Sequence, residues 1–113
     1  MIIQRLKRIE EDVLLRAEKY YSILSTINGL QLTKRELQLI AFTAVRGNIS
    51  YAEYRKEFCS MYDSSAPTIN NMISKLKKAN ILVKNNNKTK VNSLIQLDFN
   101  KPLQLEIKLL PNV

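Results

Sequence analysis

The sequence predicts a mainly α-helical domain that closes on a small β-hairpin, and three observations carry that expectation. Apolar residues recur in steps of three and four from Ile2 to Leu76. A hydroxyl residue followed three positions later by glutamate stands at Thr33/Glu36 and again at Ser50/Glu53, the pattern that opens helices. After Asn80 the helical period gives way to short apolar runs around a polar tip. With 113 residues the chain has room for one domain and one modest core.

The elements follow in order. Ile2, Leu6, Ile9, Val13, Ala17, Tyr20, Leu24 and Ile27 form one stripe along a long N-terminal helix. Asn28-Gly29 supplies a left-handed stop. The first capping box, flanked by Leu32 and Leu37, starts a helix over 34–46 that is apolar on most sides and reads as the central core helix. Gly47 ends it. The second box, flanked by Ile49 and Tyr54, starts a helix over 51–62 with Tyr51, Tyr54, Phe58 and Met61 or Tyr62 facing inward. A turn leads to a third helix of this group, 67–79, whose first turn suits Pro67. Its core stripe is Ile69, Met72, Ile73 and Leu76. The hairpin is expected over 81–97, with strands at 81–83 and 94–97 around a tip at 85–90. Leu103, Leu105, Ile107 and Leu109 alternate with polar residues and predict an extra C-terminal strand, with a short helix as the alternative.

Absences limit the chemistry. The chain has no histidine, one cysteine and two glycines. That leaves no imidazole base, no ordinary zinc site and no glycine-rich phosphate loop. Glu10, Glu11 and Asp12, the one acidic cluster, fall on a solvated helix face. The expectation is a protein that is not an enzyme, with no cofactor and no metal. Charge enters early, at Arg5, and no apolar run approaches the ~18 residues a membrane span needs. A lone cysteine, Cys59, fits a reducing, cytoplasmic setting and reads as a small apolar filler.

The net charge of +8 is unevenly placed. Residues 1–63 carry ten Lys/Arg against eight Asp/Glu, residues 64–97 carry six lysines and no acid, and residues 98–113 balance at two each. Localised positive charge of this kind marks a polyanion-binding face; a solvated surface is the competing reading. On the helix over 67–79, the core stripe leaves Pro67, Asn71, Ser74 and Lys78 facing away, with Thr68, Asn70 and Lys75 beside them.

The stretch LTKRELQLIAFTAVRG, then ISYAEYRKEFCSMYD, then SAPTINNMISKLKKANILVK entering a hairpin resembles the winged helix-turn-helix superfamily, most of all the small winged-helix proteins of bacteria and their phages. The resemblance covers 32–99. It implies a winged helix-turn-helix domain at 32–99; the N-terminal helix at 1–31, for packing or dimerisation, and the strand extension at 100–113 are read from their own apolar patterns and depart from the family. The resemblance also implies double-stranded DNA as partner, the 67–79 helix in the major groove and the hairpin as wing, in a small transcriptional regulator; the length of the N-terminal stripe adds the expectation of a dimer. Asn70 and Asn71 are then candidates to pair with adenine, and Thr68 and Ser74 to touch bases or phosphates. Lys75, Lys78, Lys88 and Lys90 are candidates to hold the backbone. The helix and wing carry no arginine to read guanine, so A·T-rich sites are expected. Ile2, Leu6, Ile9 and Val13 are the candidate dimer stripe, with folding back on the domain as the other reading. The rival function is a structural or assembly part, such as a phage particle protein, that uses the same fold for protein contacts.

Overall fold

The computed structural model describes residues 13–101, in the order α1 (Val13–Ile27), α2 (Lys34–Arg46), α3 (Ala52–Tyr62), α4 (Ala66–Lys78), β1 (Leu82–Asn85) and β2 (Lys88–Val91). The candidate dimer residues Ile2, Leu6 and Ile9 and the strand expected at 103–109 lie outside the described residues. The result is a mainly helical fold with a small antiparallel hairpin.

α2 is the central element, as its apolar pattern predicts: Leu39, Ile40, Ala41, Phe42 and Ala44 are all buried. Its start is the capping box read from the sequence. The Thr33 hydroxyl accepts from the Glu36 backbone N–H at 3.1 Å, and the Thr33 N–H donates to the Glu36 carboxylate at 2.7 Å. Its end is Gly47, at φ 85°, a left-handed conformation that glycine adopts without a Cβ penalty. α3 lies against it through an edge-to-face contact of Phe42 with Phe58, centroids 5.5 Å apart. A two-pronged ion pair of Arg46 with Glu57, at 2.8 and 2.9 Å, fastens the same two helices.

α1 packs along α2 with Ala17, Tyr21 and Ser25 buried and Leu14, Tyr20 and Leu24 half-buried. The stripe is therefore turned by about one position from the predicted line: Val13 and Ile27 are exposed and Tyr21 is the anchor. Tyr21 can go inside because its hydroxyl donates to Ile95 O at 2.8 Å. The predicted stop at Asn28-Gly29 forms in full. Gly29 N–H donates to Thr26 O and Leu30 N–H to Ser25 O, closing the last carbonyls.

Other expectations are corrected as well. The second capping box does not form: α3 begins one residue later, with Tyr51 at the cap and no side-chain cap bond. Ser50 is taken by a tertiary partner instead, its hydroxyl donating to the Thr89 hydroxyl at 3.0 Å. Inward-facing residues of α3 are accordingly Phe58 with Tyr54 and Tyr62, while Tyr51 and Met61 are exposed.

The hairpin is also tighter than predicted. Its second strand is Lys88–Val91, not 94–97, and the register pairs Leu82 with Val91 and Asn85 with Lys88. Asn86 and Asn87, at φ 51° and 65°, make a two-residue turn with both centres left-handed. This geometry matches the twist of the flanking strands, and asparagine tolerates it. Residues 94–97 instead run past the core, with Leu97 buried, Ile95 half-buried and Leu94 89% exposed.

The hairpin is tied to the segment between α2 and α3. Ile49 N–H donates to Thr89 O at 2.9 Å. The Asn48 side-chain oxygen accepts both from Thr89 N–H and from Ser50 N–H, each at 2.9 Å. Asn48, Ile49 and Thr89 are all buried, so residues 48–50 sit beside β2 like a stub of a third strand.

Candidate nucleic-acid interface

α4 buries Ile69, Met72, Ile73 and Leu76 as its spacing predicts. Its N-terminus is capped by Ser65, whose hydroxyl accepts from Thr68 N–H at 3.4 Å and also bonds the Thr68 hydroxyl at 2.9 Å. Thr68 is thereby part of the cap while remaining exposed.

The two flanks of α4 are held by different helices. On one, the Lys75 ammonium lies 3.0 and 2.8 Å from the two carboxylate oxygens of Glu36 on α2. The sequence places no acidic residue near this lysine; the fold brings one from 39 positions away. The Glu36 side chain is 6% exposed and that of Lys75 53%, so the pair is sunk on one side and wet on the other. Burial alone would raise the Glu36 carboxyl. The Lys75 ammonium and the Thr33 N–H outweigh it and hold the pKa below the usual carboxylate value. Lys75 is therefore charge-paired as well as surface-facing.

On the other flank, Asn70 meets α3. Arg55 donates through one terminal nitrogen to the Asn70 side-chain oxygen at 3.2 Å, and through Nε to Ile49 O at 2.9 Å. Between the flanks runs an exposed line of Asn71, Ser74 and Lys78, spaced three and four apart, with no hydrogen-bond partner among the described residues. These are the polar groups that α4 offers outward.

The hairpin adds lysines on both faces. Paired residues share a face, so Lys88 and Lys90 stand on the outer side with Val83 and Asn85. Lys84 stands on the other side with Thr89, exposed near the tip. Asn80, at φ 59°, turns the chain from α4 into β1 within three residues, so the last turn of the helix and the hairpin form one basic run. Val13, the described member of the candidate dimer stripe, is exposed at the start of α1.

Three residues of this surface are not among the sequence candidates: Glu36, Arg55 and Lys84. Glu36 is readable only as a capping residue, because nothing local to it points to Lys75. Arg55 sits on the neighbouring helix and reaches Asn70 only once α3 and α4 cross. Lys84 falls on a strand whose register depends on the two-residue turn. Comparison of the chain with family models, with curated proteins and with solved structures finds no match.

Proposed function

We propose that this chain binds double-stranded DNA as a winged helix-turn-helix protein, with α3 and α4 as the helix pair, α4 in the major groove and the β1–β2 hairpin as wing. The observation that carries the reading is the state of α4. Both flanks are fastened to neighbouring helices, and the line between them presents Asn71, Ser74 and Lys78 exposed and without a hydrogen-bond partner among the described residues. A groove-reading helix needs this combination, since groups fixed in advance lose little freedom on binding. The tie between residues 48–50 and β2 also supports it, because it braces the hairpin against the helices. So does the charge, with Lys78, Lys84, Lys88 and Lys90 exposed on a stretch that contains no acidic residue.

The role is a small regulator acting without catalysis, as a dimer through its N-terminal helix. Fluorescence anisotropy on an A·T-rich duplex at about 50 and about 200 mM salt tests it. Four lysine–phosphate contacts at about −0.9 each give a log–log slope near −3.6, a roughly 150-fold loss of affinity across that range. Lys88→Ala/Lys90→Ala should flatten the slope by about 2. No binding at the lower salt overturns the reading.

One observation favours a second reading, protein contact. Ile23, Ile27, Leu30 and Leu94 are exposed, and an open groove of about 440 Å³ lies between the end of α1 and the segment after the hairpin. A chain used this way would bind no duplex and would lose its assembly on Leu94→Asp.

A further inference from the structure

Resting on the duplex-binding reading, we propose that Arg55 and Asn70 act together as one donor array that selects guanine, so the preferred site contains a G·C pair inside its A·T-rich frame. The winged-helix resemblance makes Asn70 a candidate to pair with adenine. Asparagine pairs with adenine by giving its side-chain N–H to N7 and taking the N6 amino hydrogen on its oxygen. In the structure that oxygen faces Arg55 at 3.2 Å. The orientation of the amide follows from chemistry: a guanidinium has donors only, so the group it meets is the oxygen and the amide nitrogen points away.

The oxygen keeps a second lone pair, but a cation now stands beside it. A second hydrogen-bond donor brought to that oxygen, such as the adenine amino group, is repelled by the guanidinium charge. An acceptor brought to the amide nitrogen is favoured. Arg55 itself is strapped in place, because its Nε donates to Ile49 O and Ile49 is fully buried and bonded to Thr89. Of the five N–H donors of a guanidinium, two are spent on Ile49 and Asn70. The rest have no acceptor among the described residues. The pair therefore presents several donors and no welcoming acceptor. In the major groove guanine alone offers two acceptors, O6 and N7, on one base edge, whereas adenine offers one acceptor and one donor. Asn70 is the fifth residue of α4 and lies in the half of a recognition helix that reaches base edges. Asn71 is exposed, its amide without a partner among the described residues, and remains the adenine reader.

The test is selection from a randomised duplex library by the full chain, followed by anisotropy on the selected duplex and on the same duplex with each base pair changed. The wild type should select guanine at one position, by roughly tenfold or more over adenine. Arg55→Met removes the charge and frees the Asn70 oxygen, so guanine at that position should give way to adenine. Asn70→Ala takes the amide N–H out of the array and should lower the guanine preference there severalfold, while leaving the adenine preference assigned to Asn71. Thermal melts establish that each variant folds, and either variant alone decides the matter. Unchanged selected sequences with uniformly weaker binding would make Arg55 a phosphate contact and overturn this proposal while sparing the duplex reading. Failure of the wild type to bind any duplex would overturn both.

Discussion

Replacing Lys75 by methionine separates the structural work of α4 from its outward face. The Glu36 carboxylate keeps the bond from Thr33 N–H at 2.7 Å and loses the ammonium at 2.8 Å while its side chain stays 6% exposed. Removing one partner of a fully buried pair costs about 3–5 kcal/mol, and an exposed pair is worth about 0.2–1. Lys75 is half in water, so solvent screens the interaction and can reach the carboxylate from that side. A loss of about 2 kcal/mol is expected, or roughly 8 °C in Tm at about 4 °C per kcal/mol for a chain of this size. Glu36→Gln keeps an oxygen for Thr33 and leaves a lysine free to turn to solvent, so it should cost less, about 1 kcal/mol. The double variant should cost at least about 1 kcal/mol less than the sum. The assay is urea unfolding of the four proteins of this cycle at neutral pH. Additivity within about 0.5 kcal/mol would refute the idea that the pair fastens α4 to α2.

The same pair has a pH signature: with its folded pKa lowered, Glu36 contributes stability above the unfolded carboxylate pKa of ~4.3 that is lost as pH falls through the folded value. The acid limb of a stability–pH profile should therefore be steeper in the wild type than in Lys75→Met. Lys78→Ala, by contrast, should leave Tm within about 1 °C and flatten the salt slope for duplex binding by about 1, checked by melting and anisotropy. Asn87→Gly should stabilise by about 0.5 kcal/mol, because φ 65° at that position suits glycine better, and urea unfolding reads this. Tyr21→Phe strands the Ile95 carbonyl and should cost about 1 kcal/mol by the same method. Asn48→Ala removes the acceptor of two backbone N–H groups, so it should cost about 2 kcal/mol and raise amide exchange at Thr89.

What the sequence made legible was whatever is written locally. The Thr33/Glu36 box, the Asn28-Gly29 stop and the Ile69, Met72, Ile73, Leu76 stripe each depend on residues within one or two turns, and each is found in place. What it hid depends on distant partners. Ser50 has the form of a helix cap, yet Thr89, 39 residues on, captures its hydroxyl. The β2 strand was masked because its inward residues are Thr89 and Val91, and a buried threonine does not register as apolar. The candidate surface divides the same way. Helical geometry places Asn71, Ser74 and Lys78 on one exposed line, but neither the Glu36 that takes Lys75 nor the Arg55 that turns Asn70 can be found without the crossing of the helices.

The central claim is that the line on α4 and the lysines of the hairpin meet duplex DNA. The most direct measurement is a ¹⁵N–¹H titration of the chain with a short A·T-rich duplex. Shifts should concentrate at the amides of Asn71, Ser74 and Lys78, at the side-chain amides of Asn70 and Asn71, and at Lys88 and Lys90. Shifts confined to α1 and the residues around Leu94, or a spectrum unchanged by DNA, would contradict it.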